Sequence, residues 1–398
     1  MEVQMRNKRL FRVVAVASAA ALLLSGCSSN KAGSTNGLPK VEMLKSLGAG
    51  EGQVNIVAWA GYVENGSNDP NYNWVSDFEK ETGCKVNVKI GASSDEMVAL
   101  MKTGEYDVVS ASGDASLRLI YGGDVAPVNT DLVPNYADIF SNLKMQPWNS
   151  VDGVAYGIPH GRGANLLAYR TDIVKPAPTS WGAVFDPNSP YKGKITAYDS
   201  PIYIADAALY LMKTKPELGI KYPYALDQKQ FDASIALLKE QKPLISEYWG
   251  DYLKHVASLK SGTTVLGTTW QVNINLAKSE KVAVEGIKPV EGSTGWSDTW
   301  MVSSAAKNPN CAYMWLNHIV SPQANASVAE WFGEAPSNAK ACDLKKDLCA
   351  TFHANDDAYW KDVYYWNTAT ENCLDGRTDV KCVPYSEWAT AWSSLRNS

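Results

Sequence analysis

Strand-like and helix-like segments alternate along the chain from about residue 53, and this alternation limits the possible folds more than any other feature. Apolar residues recur with the two-residue period of a strand or the 3.6-residue period of a helix. The first five segments run strand, helix, strand, helix, strand, at 53–59, 74–83, 85–91, 93–104 and 106–112. This βαβαβ order predicts a mostly parallel sheet flanked by helices, and therefore an α/β fold.

Later segments continue in the same style, and the length of the chain favours two lobes. Strands are predicted at 193–201, 263–270, 282–289 and 295–303, and a helix at 204–214. In the last of these strands Trp296 and Asp298 occupy alternate positions, so both side chains face the same side. Ser94 is a candidate N-cap for the second helix.

The residues just after the predicted parallel strands are the candidates for a site. In open α/β sheets, ligands bind in a crevice at the carboxyl ends of the strands. Trp59 and Tyr62 follow the first strand, and Ser112 and Asp114 follow the third. The pattern thus predicts aromatic and acidic groups at one edge of the sheet.

The first 26 residues have the composition of a secretory signal. A basic stretch at 6–12 precedes an apolar run at 13–24, which is shorter than the roughly 20 residues of a membrane-spanning helix. The string LLSGC, ending at Cys27, resembles the lipobox of bacterial lipoproteins, in which the cysteine is acylated and the chain is cut before it. The alternative is an ordinary secretory signal with a chance cysteine. Residues 27–51 have the composition of a flexible tether, so we expect an exported protein, lipid-anchored at the outer face of the cell membrane.

The other cysteines favour disulfides, because their number is even and the chain is expected to be exported. Spacing favours two short loops, with Cys84 left for Cys311, although other pairings remain open. The two short-loop pairs are Cys342 with Cys349 and Cys373 with Cys382.

Composition excludes several classes of function. A net charge of −5 without a basic tract argues against a nucleic-acid partner. The sequence has no CxxC unit and only four histidines, which argues against a zinc site. We expect neither a metal nor a cofactor.

Seven strings together resemble the periplasmic polyamine-binding proteins of bacterial ABC importers. The resemblance is closest to the YdcS type and more distant to the spermidine- and putrescine-binding PotD and PotF type. It covers the whole region after the signal, in matching order. The strings are VNIVAWAGYVENG, YDVVSASGDASL, WGAVFDP, YKGKITAYDSPIYIADAAL, TTVLGTTWQVN, KPVEGSTGWSDTWMVSSAAKNP and WFGEAPSN.

The resemblance implies a two-lobed periplasmic-binding-protein fold of type II, with the ligand trapped in a cleft between lobes. The first lobe is expected to hold 52–157 and about 297–345, and the second 158–296 and about 346–398. It also implies a small amine ligand and, as partners, the permease and ATPase subunits of an importer. We expect the protein to act as a monomer.

The family's stacking residues correspond to Trp59, Tyr62, Trp270 and Trp296, and its amine-binding carboxylate to Asp298. Aromatic faces and carboxylates suit an ammonium-bearing chain, because each cation–π contact contributes about 0.5–2 kcal/mol. The alternatives are core packing for the aromatic residues, and a surface position or an N-cap for Asp298.

Three further positions have weaker counterparts in the family. Ser112 matches a polar pocket residue, Asp114 stands where spermidine binders carry an aromatic residue, and Phe332 takes the place of a tyrosine.

The family's remaining carboxylates are only partly present. Asp199 lies where members carry one, but the next falls at Ile202, for which Asp206 or Tyr203 is a weak substitute. This departure favours a short diamine over a long polyamine.

Arg162, near the expected first crossover, has three possible roles. A guanidinium binds carboxylates well, so an Arg162 in the cleft favours an amino-acid-like amine such as γ-aminobutyrate. Alternatively, it pairs with Asp114 or points into solvent.

Two other classes of protein remain as rivals. The sequence contains no GxSxG, HExxH or P-loop motif, so an enzyme is not expected. A sugar-binding lipoprotein is the second rival, since tryptophan faces also stack on sugar rings.

Overall fold

The structure, a computed structural model, describes residues 37–397. The signal predicted at 1–26 and the lipidation site Cys27 lie outside these residues. The fourteen described strands are β1 (Gln53–Ala58), β2 (Lys85–Ile90), β3 (Val108–Ala111), β4 (Ser150–Val151), β5 (Val154–Ala155), β6 (Ile158–Ala164), β7 (Leu166–Arg170), β8 (Ile195–Tyr198), β9 (Ile245–Trp249), β10 (Leu266–Thr269), β11 (Val284–Ile287), β12 (Ser293–Val302), β13 (Ala335–Pro336) and β14 (Val363–Tyr365).

The α-helices lie on the faces of the sheets and between the strands, as the alternating pattern predicts. They are α1 (Val75–Thr82), α2 (Ser94–Met101), α3 (Gly113–Gly122), α4 (Gly182–Phe185), α5 (Ile204–Thr214), α6 (Gln228–Gln241), α7 (Tyr252–Ser261), α8 (Gln271–Ser279), α9 (Pro309–Ile319), α10 (Pro322–Phe332), α11 (Ala341–Leu344), α12 (Lys346–Thr351), α13 (Asp357–Trp360) and α14 (Tyr385–Asn397). None of the helices within 37–397 is long and apolar enough to cross a membrane.

A seven-stranded sheet forms the first lobe. Its order is β13-β6-β12-β3-β1-β2, with β14 also paired to β12. Strands β1, β2 and β3 are parallel, as the βαβαβ order predicts. Strand β12 runs antiparallel to β3 and β6, which makes the sheet mixed.

A five-stranded sheet of order β11-β7-β10-β8-β9 forms the second lobe. Strand β8 is parallel to β9 and β10, whereas β7 is antiparallel to β10 and β11. The two sheets give an α/β fold of two lobes, which agrees with the expected class.

Sheet membership moves the expected lobe boundaries. Strand β6 pairs with β12 and therefore belongs to the first sheet, although 158–164 was expected in the second lobe. Likewise, β12 begins at Ser293, before the expected boundary at 297, and β14 adds 363–365 to the first lobe. The chain crosses from the first lobe to the second at Asn165, between the end of β6 and the start of β7. Strand pairing, and not local composition, sets this point. Helix α14 packs on α6, in the second lobe.

The described part of the predicted tether, residues 38–51, is held against the first lobe, so the expectation of flexibility is wrong there. Asn310 accepts a hydrogen bond from the Gly48 amide at 2.6 Å. Asn129 donates to the Leu44 carbonyl at 3.2 Å, and both Glu51 carboxylate oxygens accept from the start of α9. Polar composition favoured a free linker, but these hydrogen bonds connect the segment to the first lobe.

Three disulfides join the six cysteines that follow Cys27. They are Cys84–Cys311, Cys342–Cys349 and Cys373–Cys382, the pairing that spacing favoured. The first connects the β2 edge of the sheet to α9 over a separation of 227 residues, whereas the other two close loops of 7 and 9.

Ser93, and not Ser94, caps α2. Its hydroxyl accepts from the Glu96 amide. The Ser94 hydroxyl instead donates to Asp114 at 2.8 Å. A serine one position inside the helix cannot reach the free amides of the first turn in the same way.

Candidate functional site

A cleft of about 430 Å³ lies between the two sheets. This volume lies within the range of small-molecule sites, roughly 300–1,000 Å³. Most of the side chains singled out from the sequence line it, namely Trp59, Tyr62, Ser112, Asp199, Trp270, Trp296, Asp298 and Phe332.

Strand ends position most of these residues. Trp59 directly follows β1 and Ser112 follows β3, both in the first sheet. Asp199 follows β8 and Trp270 follows β10, in the second sheet. The carboxyl ends of parallel strands from both sheets therefore face the same cleft, as expected for open α/β folds.

Asp298 is the buried acid of the cleft, with 3 % of its surface exposed. Its Oδ1 accepts a hydrogen bond from Ser112 at 2.7 Å, and its Oδ2 accepts from the Tyr62 hydroxyl at 2.9 Å. Burial raises the pKa of Asp298 to about 6, while the two hydrogen bonds lower it. The carboxyl is therefore mainly ionised at neutral pH, without a cationic partner in the described chain.

Ser112 is the N-cap residue of α3, but its hydroxyl makes no capping hydrogen bond to the helix. It donates to Asp298 instead. A residue that favours helix starts is thus used to hold the carboxylate. This hydrogen bond to Asp298 accounts for the small polar residue at the end of β3.

Glu334 is a site residue that the sequence reasoning missed. It is fully buried, and its Oε2 lies 3.4 Å from the Tyr62 hydroxyl. Its Oε1 lies 3.2 Å from His160 Nε2. Burial and the neighbouring Asp298 raise the Glu334 pKa well above its usual value, and burial lowers the His160 pKa to about 3. His160 is therefore neutral at pH 7, and burial favours the neutral form of Glu334.

Aromatic side chains form the walls of the cleft. Trp59 and Trp270 meet edge to face across it, with centroids 6.5 Å apart. Trp296 meets Phe332 edge to face at 5.6 Å. The Trp296 indole rests on Gly163, where an added Cβ would come within 2.4 Å of the ring. A glycine at this point of β6 is therefore required by the indole.

Trp366 is a second residue that the sequence did not single out. It is buried, lines the cleft and stacks on Tyr198 with centroids 5.7 Å apart. Its carbonyl lies against Gly113, where a Cβ would approach within 1.8 Å. The segment after β14 carries no periodic pattern, so only the three-dimensional structure places this indole beside Trp270, 6.4 Å away.

Asp199 reaches the cleft, but α14 partly neutralises it. Arg396 Nε donates to its Oδ1 at 3.1 Å, and Trp392 Nε1 donates to the same oxygen at 3.1 Å. Asp251 also lines the cleft and caps α7 through the Leu253 amide. Asp298 is thus the one lining carboxylate of the described chain that is both buried and free of a cation or a helix start.

Asp114 does not line the cleft, although it follows Ser112 closely. Its side chain turns into the first lobe, where Ser94 donates to it, and burial raises its pKa to about 7. The first turn of α3 directs it away from the strand end, so it is not among the residues that line the cleft.

Tyr203 and Asp206 also lie outside the cleft lining. Tyr203 packs in the second lobe, where Gln241 donates to its hydroxyl at 2.9 Å. Asp206 accepts from Thr294 of β12 at 2.9 Å, and burial raises its pKa to about 7. Asp206 therefore connects α5 to β12 through this hydrogen bond. The helical start after β8 turns both side chains inward, so neither replaces the carboxylate missing at Ile202.

Arg162 lies on the other side of β6 from the cleft. Register places it opposite Ser297, the neighbour of Asp298. Residues directly opposite in an antiparallel pair share a face, and successive residues alternate. Arg162 therefore points away from Asp298. It is also buried, with 3 % of its surface exposed. Its side chain therefore lies neither in the cleft nor in solvent, and it does not pair with Asp114.

The cleft presents negative charge and aromatic faces. None of the described residues that line it is Lys, Arg or His. No cluster of His, Cys, Asp or Glu within 37–397 has an arrangement that could hold a metal ion. The arrangement suits an ammonium group at Asp298 with its methylene chain against the indoles, because a buried anion is stabilised by a paired cation.

Residues 73–363 match the family of bacterial extracellular solute-binding proteins. The chain belongs to this family. The match runs from the segment before α1 to the first residue of β14 and leaves out β1. Members are binding proteins of transport systems, and the two-lobed fold described above agrees with that class.

Individual relatives have related names. The chain is 26 % identical to spermidine/putrescine-binding periplasmic protein 1 of Haemophilus influenzae, over 83 % of this chain and 86 % of that one. It is 25 % identical to the spermidine/putrescine-binding periplasmic protein of Escherichia coli K12, over 73 % and 82 %. Among solved structures, the spermidine/putrescine ABC transporter substrate-binding protein PotD of Streptococcus pneumoniae has a similar fold. Its TM-score is 0.66 at 19 % identity, over 86 % of this chain and 99 % of that one.

Proposed function

We propose that this solute-binding protein captures a short polyamine, such as putrescine, and delivers it to the permease of an ABC importer. The observation that carries the proposal is Asp298, a buried and mainly ionised carboxylate with hydrogen bonds but no cation. A buried charge is costly unless it is paired. A ligand ammonium supplies the missing partner.

The aromatic residues support an alkyl amine as the ligand. Trp59, Trp270, Trp296 and Trp366 surround the cleft and offer apolar surface and π-faces to a methylene chain. Each cation–π contact contributes about 0.5–2 kcal/mol, and a charge-assisted hydrogen bond contributes about 1.5–3 kcal/mol. After the cost of ordering the ligand, an affinity on the order of micromolar follows.

The outer carboxylates support a second ammonium. Asp199 and Asp251 belong to the second lobe, whereas Asp298 belongs to the first. A diamine that pairs with acids on both sides joins the two lobes and favours their closure. Closure can be shifted only by as much as the ligand prefers the closed form.

An amino-acid-like amine is less well supported. γ-Aminobutyrate needs a cation in the cleft for its carboxylate, and Arg162 lies on the opposite face of β6. A sugar is also less well supported, because the lining carries a buried anion and few neutral hydrogen-bonding groups.

Calorimetric titration with putrescine, spermidine, γ-aminobutyrate and maltose tests the proposal. We expect heat with putrescine at micromolar affinity, weaker heat with spermidine, and none with γ-aminobutyrate or maltose. Heat with maltose and none with either amine would overturn it.

We also propose that Cys27 is acylated, which anchors the protein at the outer face of the cell membrane. The LLSGC string and the extracellular class of the family support this. Replacement of Cys27 by Ala should move the protein from the membrane fraction to the soluble exported fraction. Retention of the variant in membranes would contradict lipid anchoring.

A further inference from the structure

A second cavity, of about 450 Å³, lies between the lobes and shares no lining residue with the cleft. Residues of both sheets line it, including Arg162 of β6 and Leu166 of β7. Its apolar walls come from Phe352, Tyr359 and Trp360. We call it the Arg162 cavity.

Arg162 is a buried cation without an anion. Its Nη1 donates to the Tyr365 hydroxyl at 3.1 Å, its Nη2 donates to the Ala354 carbonyl at 3.0 Å, and its guanidinium lies 4.2 Å from the centre of the Trp360 ring. Its Nε, although buried, has no hydrogen-bond acceptor. A guanidinium carries five N–H donors, so most of them remain available.

The other four arginines within 37–397 all pair with aspartate. The pairs are Arg118 with Asp95, Arg170 with Asp172, Arg377 with both Asp227 and Asp375, and Arg396 with Asp199. The side chains of those pairs are more exposed than that of Arg162. An unpaired charge costs more free energy at Arg162, because water is excluded there. The position where a counter-ion matters most is therefore the one that lacks it.

Lys288 adds a second cation to the lining. Its ammonium lies 4.3 Å from the centre of the Tyr359 ring and donates to the Tyr359 carbonyl. Asp356 and Asp362 lie near enough to act on Lys288, but neither lines the cavity. Glu334 is the one carboxyl among the lining residues, so the two cations outnumber the acids, and burial favours the neutral form of Glu334. The cavity therefore carries net positive charge.

We propose that the Arg162 cavity binds a small organic carboxylate. The guanidinium of Arg162 offers N–H donors in a planar arrangement that matches the oxygens of a carboxylate. The aromatic walls favour a ligand with a short carbon chain over inorganic phosphate. The site is separate from the amine cleft, since Arg162 and Asp298 lie on opposite faces of the sheet, and it does not depend on which solute the cleft binds.

Titration calorimetry at constant ionic strength, with sodium succinate, butyrate and phosphate as probes, tests this proposal. We expect the wild-type protein to bind succinate or butyrate more tightly than phosphate. Arg162→Gln and Lys288→Gln should each weaken carboxylate binding by at least tenfold. The control Lys278→Gln, which removes a surface cation paired with Glu285, should leave it unchanged.

Putrescine binding serves as the second readout. It should remain in both cavity variants, which separates this site from the cleft. Absence of carboxylate binding to the wild type, preference for phosphate, or unchanged binding in both variants would each overturn the proposal. If Arg162→Gln fails to fold, the more exposed Lys288→Gln decides the outcome.

Discussion

The Tyr62 hydroxyl donates a hydrogen bond to Asp298 at 2.9 Å, from a segment 236 residues earlier in the chain. The same phenolic oxygen lies 3.4 Å from Glu334. Glu334 and Asp298 thus share one phenol between them. Burial raises the pKa of both carboxyls, and Asp298, with a pKa of about 6, is the one of the two that lines the cleft.

Asp298→Asn should lower putrescine affinity about 100-fold, because loss of one member of a buried hydrogen-bonded charge pair costs about 2–5 kcal/mol. The amide keeps the shape and one acceptor, so the fold should persist, as checked by circular dichroism. Ser112→Ala is the graded control. It removes one hydrogen bond to the carboxylate and should weaken binding about tenfold, near the lower end of the range for bonds to charged groups. Unchanged affinity in Asp298→Asn, measured by calorimetry, would remove Asp298 from the site.

Glu334→Gln should change putrescine affinity by no more than about threefold, because burial raises the Glu334 pKa and so favours the neutral carboxyl that glutamine resembles. Glutamine has nearly the same size and keeps a carbonyl oxygen beside Tyr62. The measurement is a calorimetric comparison with wild type at pH 7. A loss as large as that of Asp298→Asn would mean that Glu334 ionises when the amine binds.

Putrescine affinity should fall below about pH 6. The Asp298 pKa is about 6 in the absence of ligand, and the ligand amines stay protonated far above this value, like lysine. Protonation of Asp298 removes the partner of the ammonium, so the dissociation constant should rise about tenfold for each pH unit below 6. Affinity should change much less between pH 7 and 8. Asp298→Asn is the control and should show a much flatter profile; an unchanged slope in this variant would assign the titration to another group, such as Asp114.

Asp206→Asn should stabilise the protein at pH 8, and this advantage should be smaller at pH 5. The folded pKa of Asp206 is about 7, above the usual 3.8, so the folded state binds the proton more tightly than the unfolded state. Asp206 therefore destabilises the fold increasingly as pH rises from about 4 through 7. Asparagine can still accept the Thr294 hydrogen bond and carries no charge. Thermal melts of variant and wild type at several pH values test this; a difference that does not vary with pH would contradict the assignment.

Local sequence patterns predicted seven of the strands, three of the helices and the cleft residues that follow strand ends. Trp59 and Ser112 could be placed because a parallel strand fixes what comes at its carboxyl end. Asp298 could be placed beside Trp296 because a strand alternates its faces. These inferences depend on neighbours in sequence, and the structure agrees with them.

The remaining site residues depend on contacts between distant segments. Arg396 reaches Asp199 over 197 residues, and the backbone of Trp366 rests on Gly113, over 250 residues away. The place of Arg162 in the sequence allowed a position in the cleft, but the register of β6 puts its side chain on the other face of the sheet. The lobe boundary also follows from pairing of β6 with β12 and not from composition. The local periodicity of apolar residues contains no information about such contacts.

Removal of the Cys84–Cys311 disulfide should destabilise the protein more than removal of Cys342–Cys349. The first closes a separation of 227 residues and the second a separation of 7. In the loop-entropy relation the difference corresponds to about 3 kcal/mol. The long-range bridge also fixes α9 to the β2 edge, where both of its cysteines are fully buried. We therefore expect the double variant Cys84→Ala/Cys311→Ala to melt several degrees below the matched control Cys342→Ala/Cys349→Ala, because about 1 kcal/mol shifts the midpoint by roughly 2–4 °C in chains of 150–250 residues. Equal melting temperatures in calorimetric scans of the two variants would show that the long loop is already restricted in the unfolded state.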